Sequence, residues 1–329
     1  MLRGEVIDDP TALAALEPHW WRLWASSRTA TPFQCPAWLL AWWEAFAPGE
    51  LATIAVWRDE DLAGLAPLYR ERAISGSRLL PVGISLSDYL DILCLPGIEM
   101  AVAGIIADVV AKIEWSQWIL PDLPADAAGL AISHPAMEAS EAVNHAACPV
   151  LAIAGDDRLA GCVPSRRWRQ LRRAYRAACG RGRVSVWPAQ NDPRLFLDHL
   201  VRLHGARWAG YGDGVLNGPN VKEFHSHALP PLAAHGLVRC WLIAIDDQVI
   251  GAYYGFHHRQ RAYAYLGGFD PDYAEVSPGA ILIGHAITEA LREGASEFDF
   301  LRGREAYKYS WGAVDQWTKH RIWTRGSIP

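Results

Sequence analysis

The chain has 329 residues, more than one hydrophobic core usually serves, so two domains are expected. Hydrophobic residues make up 51% and charged residues 20%, which excludes a disordered chain, and no run of about 18 apolar residues free of charges or breakers exists to cross a membrane. The net charge of −5 gives no overall electrostatic case for nucleic acid.

The first residues, Met1 to Pro10, place an acidic turn where a signal peptide would carry its apolar segment, so a cytoplasmic protein is expected. The six cysteines are scattered, with neither a CxxC pair nor a Cys/His cluster at zinc spacing. They read as buried thiols, not as disulfides or metal ligands. The 16 tryptophans read as core or domain-interface anchors, a few of them free to line a groove.

A Trp-rich helix is expected over residues 36–46. After it, Ile54-Ala55-Val56-Trp57, the polar turn 58–61 and the apolar run 62–69 form a hairpin signature. A helix follows over 97–114 and a short strand over 115–120. The Ala-, Pro- and Asp-rich segment 121–149 reads as a loop-rich connection. Ala154-Gly155-Asp156-Asp157 is turn-like, and the boundary is placed there, giving domains 1–160 and 161–329.

Ser165 is a candidate N-cap for a basic helix that ends near Gly180. Eight arginines lie between positions 166 and 183, while Trp168, Leu171 and Tyr175 form one stripe. Two readings remain open: a surface for a phosphorylated, lipid-linked or RNA substrate or for CoA phosphates, or a solvated face against an acidic partner domain. A strand over 184–187 and a helix from Pro193 come next.

The second half then repeats the first. A helix over 219–235 precedes a hairpin, 240–245 and 248–256, whose turn is Asp246-Asp247. Gly64 and Gly251 fall at the same place after their turns. A strand over 261–269, a helix over 278–293 and a strand over 297–301 complete the series. An order-preserved repeat of helix, hairpin, strand, helix and strand predicts a duplicated α/β domain.

Two segments carry the chemistry. Ser277 is a candidate N-cap, with Pro278 at the first helical position and Gly279 next; small residues at a helix start leave backbone N–H groups open to a pyrophosphate. The strand 297–301 ends in Arg302-Gly303-Arg304-Glu305-Ala306-Tyr307-Lys308, at the kind of strand end where open α/β sheets hold ligands. Glu305, Tyr307 and Lys308 are candidate base, acid and electrostatic stabiliser. The alternative is a structural ion pair between Asp299 and Lys308 with aromatics closing the sheet.

The segment Asp299-Phe300-Leu301-Arg302-Gly303-Arg304-Glu305-Ala306-Tyr307-Lys308-Tyr309-Ser310-Trp311-Gly312 resembles the closing motif of the CelD/BcsL-type acetyltransferases of the GNAT superfamily. Ser277-Pro278-Gly279, Leu203-His204-Gly205-Ala206-Arg207-Trp208 and Thr31-Pro32-Phe33-Gln34-Cys35-Pro36-Ala37-Trp38 are similar to the same family's pattern.

The resemblance implies an α/β (α+β) fold of tandem GNAT-like domains. Each would be a mixed, mostly antiparallel twisted sheet flanked by helices. It implies transfer of an acyl group from acetyl-CoA or acyl-CoA to an amine or hydroxyl of a small-molecule or saccharide acceptor, in exopolysaccharide or envelope metabolism. Within that frame the oxyanion donor is a backbone N–H near Leu266, Gly267 and Phe269. Ser277, Gly279 and Ala280 hold the pyrophosphate, and Glu305 is the first and Asp270 the second candidate base. Lys308 and Arg302 face an anionic group. Arg207 and Trp208 either shape the acceptor groove or serve as a helix-end cation and a core anchor.

Glu275-Val276-Ser277-Pro278-Gly279-Ala280 stands where most GNAT proteins carry Arg/Gln-x-x-Gly-x-Gly/Ala. The related Fem peptidyltransferases take aminoacyl groups from tRNA, and the Tyr307-Lys308-x-x-Trp311-Gly312 element is similar to theirs, so an aminoacyl-tRNA donor is the alternative. A non-catalytic binding module of a polysaccharide system is the third reading. The N-terminal half is expected to be a degenerate copy.

Overall fold

The computed structural model describes residues 1–74, 76–153, 158–208 and 214–325, with the side chains of Ala73 and Trp208 outside the description. The chain divides into two compact units, Met1–Ala146 with Trp317–Pro329, and Ala147–Gln316. The division falls after Ala146 and not at residue 160, and the last segment returns to the first unit. The turn read at 154–157 lies outside the described residues.

The first unit contains β1 (Leu2–Ile7), α1 (Pro10–Ala15), α2 (Glu17–Ser26), α3 (Pro36–Phe46), β2 (Glu50–Leu51), β3 (Thr53–Arg58) and β4 (Asp61–Ala66). It continues with β5 (Leu68–Ala73), β6 (Gly76–Pro81), β7 (Leu93–Cys94), α4 (Glu99–Val110), β8 (Gln117–Leu123) and β9 (Met137–Ala139). One sheet runs β1-β3-β4-β7. The run 62–69 is two strands, because Pro67 has no N–H to continue a ladder and the chain changes sheets there. β8 extends through Pro121 to Leu123, further than the sequence indicates. The core packs α4 residues Val102, Ala103 and Ile106 against Ile54, Val56 and Trp118. Trp118 and Trp323 stack with ring centroids 4.7 Å apart.

β10 (Val143–Ala152) carries the chain into the second unit, so the segment expected to be loop-rich ends in a ten-residue strand. That unit holds α5 (Leu159–Cys162), α6 (Ser165–Arg181), β11 (Val184–Pro188), α7 (Pro193–Trp208), α8 (Pro219–Ala234), β12 (Val238–Ile245) and β13 (Gln248–His258). Then come β14 (Arg261–Phe269), α9 (Pro278–Arg292), β15 (Glu297–Asp299) and α10 (Ala306–Tyr309), and β16 (Val314–Arg325) leads out. The strand order is β11-β12-β13-β14-β15. All neighbours are antiparallel except β14 and β15. Ser165 is the first helical residue of α6; Pro164 occupies the cap position and no side chain bonds there.

The two units repeat one another in detail. In each, an end strand of a sheet (β1, β11) is followed by helices and then by a hairpin whose turn holds an aspartate at positive φ, Asp59 at 57° and Asp246 at 51°. Aspartate tolerates this left-handed region better than most residues. In both hairpins the register shifts beside the same glycine, between Val56 and Trp57 opposite Gly64, and between Ile243 and Ala244 opposite Gly251. A Cβ on Gly64 would lie 2.1 Å from Val102 of α4, and one on Gly251 would lie 3.1 Å from Leu282 of α9. The glycine gives the following helix room to lie against the sheet. The fold is thus a mixed α/β one, with twisted, mostly antiparallel sheets flanked by helices.

Candidate active site

Parallel pairing between β14 and β15 covers only Arg261 to Tyr263, whereas β14 pairs with β13 along its whole length to Phe269. The two strands part beyond Tyr263. A bulge helps: Tyr265 is the extra residue between Ala264 and Leu266, which face Gly255 and Tyr254. Beyond it one edge of β14 is open, with backbone donors and acceptors unclaimed by a neighbouring strand.

A cleft of about 410 Å³ lies along this edge. β14 supplies Ala264 through Phe269, and α9 supplies Gly279, Ala280, Leu282 and Ile283. α7 supplies His204 and Arg207, the closing loop supplies Glu305 and Tyr307, and α6 supplies Arg167. Residues far apart in sequence thus meet where the sheet opens.

The start of α9 is bare. Ser277 sits at φ 51° and its side chain makes no cap bond, so the capping role expected of it is absent; a left-handed backbone aims the hydroxyl away from the first-turn N–H groups. Pro278 has no N–H to satisfy, and Ala280 and Ile281 donate to Ser277 O. The first-turn N–H of Gly279 has no intrahelical acceptor. A Cβ on Gly279 would meet only Phe269, at 3.7 Å, so internal packing does not demand glycine there. Gly268 is different. A Cβ there would lie 2.4 Å from His204 N, so only glycine lets β14 pass this close to α7.

The closing loop is held from within. Leu301 and Gly303 have φ of 58° and 111°, and Asp299, fully buried, accepts from Leu301 N at 2.7 Å. Lys308 is 3% exposed; its ammonium donates to the carbonyls of Leu301, Arg302 and Gly303 and lies 3.0 Å from the Glu305 carboxylate. The sequence expectation of a ligand-facing Lys308 is therefore not met. Its partner is also not Asp299, which faces Arg261 at 3.5 Å. Arg302 does not line the cleft; its carbonyl accepts from Lys308. Asp270 is likewise outside: its carboxylate accepts from Asp272 N at 3.0 Å and caps the short helix that follows.

Glu305 reaches the cleft with a half-exposed carboxylate. Burial of Tyr307's surroundings pushes its phenol up to about 12; Glu305 adds to this and Arg207 opposes it. Arg207 lies over Phe269, 5.4 Å from the ring centroid. Trp208 closes α7, and its side chain is outside the described residues.

Two cleft residues escaped the sequence reading. His204, 4% exposed, is pushed down to about 4 by burial and then by Arg207, so it is neutral at physiological pH. Arg167 stacks over Trp311 at 4.0 Å, and burial lowers its pKa. The signal was present for His204, since it lies within the quoted 203–208 segment one turn from Arg207. Arg167 was hidden among seven other arginines. Among the described residues no group of His, Cys, Asp and Glu could hold a metal ion, and no helix is long and apolar enough to cross a membrane.

Residues 165–309 match the acetyltransferase (GNAT) domain model. FemX has a similar fold, with a TM-score of 0.66 over 97% of this chain and 96% of that one at 11% identity. So does the C-terminal domain (DUF2156) of a putative lysylphosphatidylglycerol synthetase from Agrobacterium fabrum: TM-score 0.55, 10% identity, 96% of this chain and 93% of that one. L-PGS from Bacillus licheniformis gives a TM-score of 0.55 at 11% identity, over 98% of this chain and 93% of that one. No curated protein matches the chain. The segment that contains the open edge of β14 and the bare start of α9 is therefore similar to a GNAT acetyltransferase domain.

Proposed function

We propose that the chain is an acyltransferase that takes an acetyl or longer acyl group from a CoA thioester and gives it to an amine or hydroxyl. The observation that carries this reading is the junction of two features in one cleft. An open strand edge can pair with an extended, amide-bearing arm, and an uncapped helix start can receive a pyrophosphate. CoA joins those two chemical parts in one molecule. The open space in front of Gly279 is the fit it needs.

In this reading the β14 edge aligns the thioester, and a backbone N–H between Leu266 and Phe269 donates to the carbonyl oxygen as it gains charge. Glu305 takes the proton from the attacking amine or hydroxyl, and Tyr307, kept protonated by its raised pKa, gives one to the departing thiolate. One C–S bond breaks and one C–N or C–O bond forms. Arg207 and His204 border the acceptor side, and Lys308 acts only by holding the loop that presents Glu305 and Tyr307.

The test is release of free CoA thiol from acetyl-CoA and longer acyl-CoAs in the presence of panels of amines, aminoglycosides and saccharides. Acceptor-dependent release that Glu305→Gln reduces supports the proposal, and release with no acceptor dependence at all refutes it. The fold likeness to FemX keeps an aminoacyl-tRNA donor as the competing reading. Transfer from charged tRNA with none from any acyl-CoA would establish that alternative.

A further inference from the structure

Arg167 apart, the arginines of α6 do not line the acyl-transfer cleft. Arg166, Arg169, Arg173 and Arg176 stand at i, i+3, i+7 and i+10, which places them on one stripe, with Arg172 beside it. All five are exposed. Among the described residues none of them forms an ion pair, whereas Arg181 and Arg292 pair with Glu275 and Glu289. An acidic partner surface within this unit, one of the two readings of the sequence, is therefore absent for these five. In a chain of net charge −5 such a stripe is a local reversal of sign.

Beside the stripe lies a groove of about 700 Å³, separate from the acyl-transfer cleft. Its walls include Trp168, Leu171, Tyr175, Val184, Val186 and Ile281. Tyr175 is 47% exposed, an unusual position for an aromatic ring on a charged helix. Arg172 and Arg176 of α6 and His285, Thr288, Glu289 and Arg292 of α9 complete the groove's lining, with the Glu289 carboxylate paired to Arg292. Trp168, Leu171 and Ala174 also pack onto the unit's own core, so the helix does not insert bodily into an apolar phase.

We propose that this face is a peripheral docking surface for an anionic lipid leaflet, with one lipid chain entering the groove and its phosphate meeting Arg172 and Arg176. Charge complementarity selects the headgroup. The apolar walls select a lipid over a nucleic acid, which would need the arginines alone and would leave the groove empty. The inference does not depend on the acyl-transfer reading, since the two cavities share no residue.

The experiment is co-sedimentation of the whole chain with vesicles of phosphatidylcholine alone, and of phosphatidylcholine mixed equally with phosphatidylglycerol. Bulk tRNA serves as competitor. Two variants are compared with wild type: Arg172→Glu/Arg176→Glu reverses charge at two lining positions, and Thr288→Trp fills the groove without changing charge. Wild type is expected to bind only the anionic vesicles. The double reversal should lose about tenfold or more in partitioning, and the groove-filling variant several-fold, with acetyl-CoA binding unaltered in both. Absence of vesicle binding, equal binding to neutral vesicles, or full displacement by tRNA with Thr288→Trp behaving as wild type would each overturn the proposal. The reversed arginines are exposed, so that variant decides the matter even where Thr288→Trp fails to fold.

Discussion

The Lys308 ammonium lies 3.0 Å from the Glu305 carboxylate and donates to the carbonyls of Leu301, Arg302 and Gly303 at 3.0, 2.6 and 3.2 Å. One buried cation thus fixes a turn with two residues at positive φ and sets the base candidate at the cleft. Lys308→Ala removes the donor to all three carbonyls. A loss of about 2–4 kcal/mol in folding stability is expected, because buried acceptors without donors carry their full desolvation cost. Chemical denaturation measures it. Glu305→Gln, at a half-exposed position, should change stability by under about 1 kcal/mol.

Glu305→Gln and Tyr307→Phe probe the chemistry itself. Glu305→Gln should lower kcat by about 10²–10⁴ with little effect on KM, as loss of a general base does. Tyr307→Phe should lower kcat by less, about tenfold, and remove the alkaline limb of the pH–rate profile if the phenol is the acid, since that group titrates near 12. An alkaline limb in wild type well below pH 12 that Tyr307→Phe retains would move the acid role elsewhere.

Gly268 and Gly279 make opposite predictions although both line the cleft. Gly268→Ala forces a methyl to within 2.4 Å of His204 N, and backbone cannot yield as a flexible side chain would. Thermal unfolding should show a loss of about 1–3 kcal/mol. Gly279→Ala meets only Phe269 at ordinary contact distance, so stability should hold or rise slightly in the helix's first turn.

How much of this was legible is clearest at these glycines. The order-preserved repeat of helix, hairpin, strand, helix and strand pointed to a duplication from the sequence, and Gly64 and Gly251 fell at matching places after their turns. The helix starting at Pro278 and the loop from Arg302 to Lys308 were also found, being marked by punctuation and by crowded charge. What failed was side-chain direction. Lys308, Arg302 and Asp270 sit in the right segments and do not line the cleft, and spacing along a loop carries no information about that. Residues 143–152 and 314–325 were missed as strands because neither run shows a clean apolar/polar alternation.

Acid stability offers a separate test. His204 and His225 are pushed down to about 4 and about 3, in each case chiefly by burial. The unfolded chain, with ordinary imidazoles near 6.5, then binds more protons, so folding stability falls as pH drops below 6.5 and continues to fall until the folded-state pKa is reached. Between pH 7 and pH 5 each histidine should remove about 2 kcal/mol. Urea unfolding of His225→Phe at the two pH values should lack one such share. An unchanged slope would mean that His225 is not buried as neutral imidazole.

The central claim is that the bare start of α9 and the open edge of β14 hold a CoA thioester. Calorimetric titration of acetyl-CoA into wild type and Gly279→Trp, side by side, tests it most directly. The account predicts binding by wild type that the indole abolishes while the melting temperature stays near wild type. Absence of wild-type binding to acetyl-CoA and to longer acyl-CoAs, or equal binding by both proteins, would contradict it.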